Sequence, residues 1–257
     1  MKVVILCGGY GTRIRDVSEH LPKPMIPIGR FPILWHIMNH YSSFGFNDFI
    51  LCLGYKSERI KDFFLNYDTN VNDITVKLGS SGGIEFHREN VGVNWKVTLV
   101  ETGIASMTGA RVKAIESYIN GDDFMLTYGD GLGNVDLKKL KLFHLAHGKT
   151  LTVTGVRPPG RFGELEESGD FVTKFNEKPQ ASGGRISGGF FVVSKRIFEY
   201  LNDDNNLVFE QNPMRTLAQE RQLCMFRHDG FWQPMDTQRD YGLLNELYKT
   251  GNAPWVV

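Results

Sequence analysis

Two short stretches near the start of the chain hold residue types suited to gripping phosphate. Leu6-Cys7-Gly8-Gly9-Tyr10-Gly11-Thr12-Arg13 places glycines directly after an apolar run, and Pro22-Lys23-Pro24-Met25 follows soon after. Glycines there let backbone N–H groups turn towards a ligand and form a concavity fitted to phosphate oxygens. Arg13 offers a planar fork and Lys23 a movable point charge. Taken alone, the same glycines read equally as a tight strand–helix turn with a surface arginine. Two rival motifs fail. A P-loop needs Gly-Lys-Ser/Thr closing the turn. The dinucleotide pattern needs a third glycine where Arg13 stands, and an acidic residue closing a second strand near position 30.

Other chemistry-bearing residues point elsewhere. His87, His144 and His147 have no His-x-x-x-His partner and no cysteine beside them, so they read as surface or helix histidines. Cys7, Cys52 and Cys224 form no CxxC pair and no metal-ligand spacing, which fits buried thiols in a reducing compartment.

The elements that must position these residues alternate in kind. Lys2–Cys7, Asp48–Gly54, Trp95–Glu101 and Asp123–Tyr128 are apolar runs of strand length, the first rich in β-branched residues. Between them, Ile33–Phe44, Ser57–Tyr67 and Gly109–Ile119 have helical spacing. Repeated strand-then-helix order over residues 1–150 predicts right-handed βαβ crossovers and a mainly parallel sheet. Thr150–Val156, Gly169–Phe175 and Gly188–Val193 read as strands that extend the same sheet in mixed or antiparallel fashion, with a short helix at Ser194–Leu201. Residues 68–94 are polar and rich in Asn and Gly, a candidate inserted hairpin or oligomer arm.

Composition sets outer bounds. With 257 residues, 41% hydrophobic and 23% charged, the chain is an ordinary globular mixture and not a disordered, collagen-like or coiled-coil one. Its 29 basic residues balance 29 acidic ones, which argues against a nucleic-acid or membrane-surface partner. Glycines end the first apolar run before a signal peptide can form, and no stretch approaches the roughly 18 apolar residues of a membrane span. The expectation is one cytoplasmic folding unit over 1–257.

The motifs resemble those of the nucleotidyltransferases that make nucleoside-diphosphate sugars. Gly-Gly-x-Gly-Thr-Arg with Pro-Lys-Pro carries the likeness, joined in family order by Tyr128-Gly129-Asp130-Gly131, Phe162-Gly163, Glu177-Lys178-Pro179 and Phe231 to Thr237. Ser106-Met107-Thr108-Gly109, Arg157 to Gly163 and Trp232-Gln233-Pro234-Met235-Asp236-Thr237 are similar to the glucose-1-phosphate cytidylyltransferase branch. The resemblance implies an α/β, Rossmann-like three-layer fold of the nucleotide-diphospho-sugar transferase type, with a mixed, mainly parallel central sheet. It also implies a nucleotide-binding half over 1–150 and a sugar-binding half over 151–257.

Roles follow residue by residue from that resemblance. Asp130 and Asp236 match two magnesium-binding aspartates, hard oxygen donors of the kind magnesium takes alongside phosphates and waters. Arg13, Lys23, Asp130 and Asp236 form the catalytic set. Leu6, Cys7, Gly8, Gly9, Tyr10, Gly11, Thr12, Arg13, Lys23, Thr108, Gly109, Arg111, Gly129 and Asp130 would hold the nucleotide, CTP. Thr108 also reads as the N-cap of a helix. Gly163, Glu177, Lys178, Ser187, Gly188, Gly189 and Trp232 would hold the sugar 1-phosphate, with Trp232 reading equally as a core residue. Ser187 departs from the family's Asn: it is a shorter side chain without amide donors, which leaves the sugar open but not the nucleotide chemistry. Within the family, UTP or dTTP or another sugar 1-phosphate is the alternative. The remote alternative is a non-catalytic sugar-nucleotide sensor. A homo-oligomer and a magnesium cofactor complete the implied picture.

Overall fold

The computed structural model describes all residues except 12–19, 80–81, 88–92, 159–163, 169–170, 177–183 and 257, and for 164–168 and 174–176 it describes the backbone. Seven strands form the central sheet: β1 (Val3–Leu6), β2 (Asp48–Leu53), β3 (Lys96–Glu101), β4 (Asp123–Tyr128), β5 (Leu151–Val156), β6 (Ile186–Ser194) and β7 (Leu223–His228). Their order is β7-β5-β6-β4-β1-β2-β3. All neighbours run parallel except β6, which is antiparallel to both β4 and β5.

Both faces of the sheet's centre are covered, which is why β1, β2 and β4 read as nearly continuous apolar runs. Along β1, Val3 and Ile5 enter one core while Val4 and Leu6 enter the other. The first core takes α1 (Ile33–Ser43), through Ile33, Leu34, Ile37 and Met38, and the C-terminal Trp255. The second takes Phe124, Leu126, Phe191 and Phe209. Chain order adds α2 (Ser57–Leu65), α3 (Tyr67–Val71), α4 (Thr108–Ala114), α5 (Leu137–His147), α6 (Asn212–Gln219) and α7 (Gln238–Lys249). Among the described residues, no helix is long and apolar enough to cross a membrane.

Three expectations change in detail. The helix expected over Gly109–Ile119 stops at Ala114, and a 3-10 turn covers Glu116–Tyr118. Ser194–Leu201 is likewise 3-10, over Lys195–Tyr200. Phe171–Asn176 does not extend the central sheet: it pairs with Glu164–Ser168 in a separate two-stranded ribbon. Within 68–94, Ile74–Lys77 and Gly83–Phe86 pair as an antiparallel hairpin whose side chains, apart from Ile74, are exposed.

Candidate active site

From β1 the chain steps to β2 and β3 on one side, then crosses to β4 on the other. Open α/β sheets bind ligands at such a reversal, outside the carboxyl ends of the strands. A cavity of about 390 Å³ lies there. One wall is the glycine loop after β1, with Leu6, Cys7, Gly8, Gly9, Tyr10 and Gly11; the opposite wall is Ile104–Thr108; Tyr128, Gly129, Asp130, Lys23, Arg111 and Asp236 close it.

The glycines are required for different reasons. A Cβ on Gly8 would lie 2.1 Å from the guanidinium of Arg111, so only glycine admits that side chain. Gly11 has φ +62°, a left-handed conformation that suits glycine. Arg111 itself is buried and, among the described residues, has no carboxylate partner in its hydrogen bonds. Its Nη1 donates to Leu53 O and Thr102 Oγ1, both at 2.8 Å, and its Nη2 to Gly8 O at 3.0 Å and Ile104 O at 3.3 Å. Burial pulls its pKa down, yet an arginine stays charged at neutral pH. Arg111 therefore borders the cavity and stitches its two walls together. Cys7 is buried beneath the loop, and burial pushes its thiol well above the usual value, so it is an inert packing thiol.

Lys23 forms the centre of the site. Its Nζ donates to Asp130 Oδ2 and to Asp236 Oδ1, each at 2.6 Å. Burial opposes its charge, but the two carboxylates outweigh that and hold its pKa above the ordinary lysine value. A 3-10 turn, Lys23–Met25, flanked by Pro22 and containing Pro24, fixes its backbone. Asp236 reaches Asp130 through a short ribbon in which Gly131–Gly133 pairs with Trp232–Pro234, and Met235 N donates to Asp130 O at 2.9 Å. Asp240 then anchors Asp236 from the other side. Its carboxylate accepts from the backbone N–H of Asp236 at 3.1 Å and of Thr237 at 2.9 Å, and from Gln233 Nε2 at 2.9 Å. This is a capping box at the start of α7. The Thr237-x-x-Asp240 spacing is its signature in the sequence.

Thr108 does not cap α4. It is the first residue of that helix, and Met107, the N-cap, makes no side-chain cap. Its hydroxyl is taken by a distant segment: Oγ1 donates to Glu210 Oε2 at 2.7 Å and accepts from Phe209 N at 2.9 Å. The N–H of Gly109 is also engaged, with Leu207 O at 2.8 Å.

Of the residues expected to hold the sugar, Gly188 and Gly189 are buried near the start of β6, and Ser187 is exposed beside them. Gly189 has φ +74°, and a Cβ there would run into the Tyr128 ring at 2.5 Å. Trp232 is half-buried and its Nε1 donates to Gly188 O at 2.7 Å, so the indole holds the glycine pair in place. Thr12, Arg13, Gly163, Glu177 and Lys178 lie outside the described residues.

The histidines stay away from the cavity. His87 is exposed and bonded to Thr75, while His144 is buried and shares the Thr152 hydroxyl with His147. Among the described residues, no three His, Cys, Asp or Glu side chains cluster to hold a metal. The Asp130–Asp236 pair converges on one cation position, that of Lys23 Nζ, at the edge of the cavity.

A glycine loop at the reversal of a mixed α/β sheet, facing two carboxylates bridged by an ammonium, defines a nucleotide-handling site on the nucleotide-diphospho-sugar transferase fold. The chain matches the nucleotidyl transferase family over residues 2–250 and belongs to it. It is 47% identical over 256 residues to the glucose-1-phosphate cytidylyltransferase of Salmonella typhi, with 99% of this chain and 98% of that protein covered. It is 43% identical over 257 residues to the probable glucose-1-phosphate cytidylyltransferase of Bacillus subtilis, with both chains covered in full, at 100%. Among solved structures it is similar to HddC from Yersinia pseudotuberculosis complexed with GMP-PN, at TM-score 0.70 and 27% identity, covering 96% of this chain and 99% of that one. A UDP-glucose pyrophosphorylase complexed with UDP-glucose shares the fold, at TM-score 0.70 and 16% identity, covering 97% and 98%.

Proposed function

We propose that the protein transfers a cytidylyl group from CTP to glucose 1-phosphate, giving CDP-glucose and pyrophosphate. The observation that carries this reading is the convergence of Asp130 and Asp236 on one cation position beside a glycine loop. The full-length similarity to the cytidylyltransferases of Salmonella typhi and Bacillus subtilis supports the choice of CTP and glucose 1-phosphate.

The chemistry needs little covalent help from the protein. A phosphate monoester with a second pKa near 6 is largely a dianion at pH 7, so it attacks without a general base. Its oxygen approaches the α-phosphorus in line as pyrophosphate leaves, and catalysis rests on positioning and charge neutralisation. Asp130 and Asp236 are suited to magnesium, which when bound would neutralise charge on the nucleotide phosphates. Lys23 Nζ lies between the two carboxylates, and its flexible stem would let the ammonium reach the triphosphate. Arg13 is assigned to the same triphosphate. Backbone groups of Gly8, Gly9 and Gly11 cradle phosphate, while Thr108 and Gly109 border the nucleoside. Lys178 orients the incoming sugar phosphate, and Glu177, Gly163, Ser187, Gly188 and Gly189 border the hexose.

The test is product identification. The protein incubated with CTP, glucose 1-phosphate and magnesium should yield CDP-glucose and pyrophosphate in equal amounts, read by phosphorus NMR. No turnover under these conditions, with CTP consumed in no other way, contradicts the proposal.

A further inference from the structure

Glu210 lies on the connection into α6, and neither the glycine loop nor the aspartate pair contains it. Its two carboxylate oxygens are nonetheless both engaged by cavity residues. Oε2 accepts from the Thr108 hydroxyl at 2.7 Å, and Oε1 accepts from the Tyr128 hydroxyl. Thr108 belongs to one wall of the cavity, the segment Ile104–Thr108. Tyr128 ends β4 and is separated from Asp130 by a single glycine. One carboxylate thus joins the loop wall to the strand that carries a catalytic aspartate.

The segment before Glu210 reinforces this tie. Met107 N donates to Asn205 O and Gly109 N to Leu207 O, both at 2.8 Å, so residues 205–210 form a strap across the loop. Tyr128 cannot drift independently, because its ring packs on Gly189 and edge-on to Phe191 at 5.8 Å. Burial and the Glu210 charge both keep its phenol protonated, and therefore a constant donor.

We propose that Glu210 is a positioning residue: it fixes the Thr108 loop against β4 and so sets the distance from the bound nucleoside to Asp130. The inference rests on the reading of this cavity as a nucleotide site. Cutting the tie would loosen the wall next to the nucleoside while leaving both aspartates and Lys23 in place. The consequence is a loss of discrimination between nucleobases as well as a loss of rate.

The experiment compares wild type with Glu210→Ala, Glu210→Gln and the double variant Thr108→Val/Tyr128→Phe. The kcat/KM for CTP is measured with glucose 1-phosphate and magnesium, and calorimetry gives Kd for CTP and for UTP. Wild-type binding of CTP is the control for the nucleotide-site reading; if wild type binds no CTP, that reading fails and not the Glu210 geometry. Given binding, Glu210→Ala should lower kcat/KM at least about tenfold and shrink the CTP-over-UTP preference at least about threefold, with Tm close to wild type. Glu210→Gln should recover most of the loss, because an amide still accepts from one hydroxyl and donates to the other. Adding Glu210→Ala to the double variant should cost less than about twofold more, since the three groups act as one unit. A kcat/KM within twofold of wild type for Glu210→Ala overturns the proposal. So does an equal weakening of CTP and UTP binding. If Glu210→Ala does not fold, Tyr128→Phe alone carries the test, with a threefold or greater loss expected and no loss overturning it.

Discussion

Asp130 and Asp236 hold a single ammonium between them, Lys23 Nζ, at 2.6 Å from each. Two carboxylates this close would repel one another without a cation, and Lys23 supplies one. Under the proposed function, divalent-ion binding and lysine placement would compete, which a titration tests separately from turnover.

Removing either carboxylate should leave a folded but nearly inactive protein. Asp130→Ala or Asp236→Ala is expected to lower kcat by about 10³-fold or more, equivalent to about 4 kcal/mol of barrier. Circular dichroism and Tm check that folding survives. A folded variant with wild-type kcat in saturating magnesium would remove that aspartate from the metal site.

Lys23→Ala should have two opposite effects. Turnover loses charge neutralisation at the triphosphate, so kcat/KM should fall about 10²-fold or more. Divalent-ion affinity without nucleotide should rise, about threefold or more, because the competing ammonium is gone. Manganese titration read by electron paramagnetic resonance measures the second effect. Unchanged manganese affinity would show that Lys23 does not occupy the cation position in solution.

Arg111→Ala tests the stitch between the two walls. The change leaves the carbonyls of Gly8, Leu53 and Ile104 and the Thr102 hydroxyl without their guanidinium partner. Gly8 O keeps the Tyr55 N–H, and Leu53 O keeps the Thr102 N–H and hydroxyl. The cost is therefore that of the lost guanidinium bonds, about 1.5–3 kcal/mol each for bonds to a charged group and less where water replaces them. The expected net loss is about 3 kcal/mol, roughly 6–12 °C in Tm for a chain of this size. A Tm within about 2 °C of wild type would contradict the stitch.

Buried histidines set an acid limit on stability. Lys149 N–H donates to His147 Nδ1, so His147 Nε2–H donates to Thr152 Oγ1, whose own proton then points to His144 Nδ1. That chain needs both rings neutral. Burial lowers the pKa of His144 and His147, and also of His36 and His40, below the ordinary value near 6.5. The unfolded chain takes up protons below about pH 6.5 that the folded chain refuses, so stability is full above that pH and lost as pH falls towards the folded values. Tm should be level between about pH 7 and 8 and drop by pH 5.5. An equal or higher Tm at pH 5.5 would contradict this.

Much of this architecture is legible in the sequence because the inner strands of the parallel half, β1, β2 and β4, are buried on both faces. β1, β2 and β4 are nearly uninterrupted apolar runs ending in glycine or just before it, and Asp130 stands where such a run meets the ligand edge. β7 escapes that logic: Leu-Cys-Met-Phe-Arg-His is an edge strand with half-exposed side chains and no clear period. Glu210 escapes for another reason. Its partners Thr108 and Tyr128 lie far away in sequence, so no local pattern of residue types announces it. Arg111, whose partner Gly8 is equally distant, is reached only through the family resemblance.

The most direct measurement of the central claim is kcat/KM for pyrophosphate release over a matrix of nucleotides and sugar 1-phosphates. CTP with glucose 1-phosphate should exceed UTP, dTTP and GTP with the same sugar by at least about tenfold, and should exceed the mannose, galactose and N-acetylglucosamine 1-phosphates with CTP. Ser187→Asn should shift KM for glucose 1-phosphate by less than about tenfold, since water can replace the missing amide. A preference of more than tenfold for another nucleotide would contradict cytidylyl transfer. The same preference for another sugar 1-phosphate would contradict glucose as the acceptor.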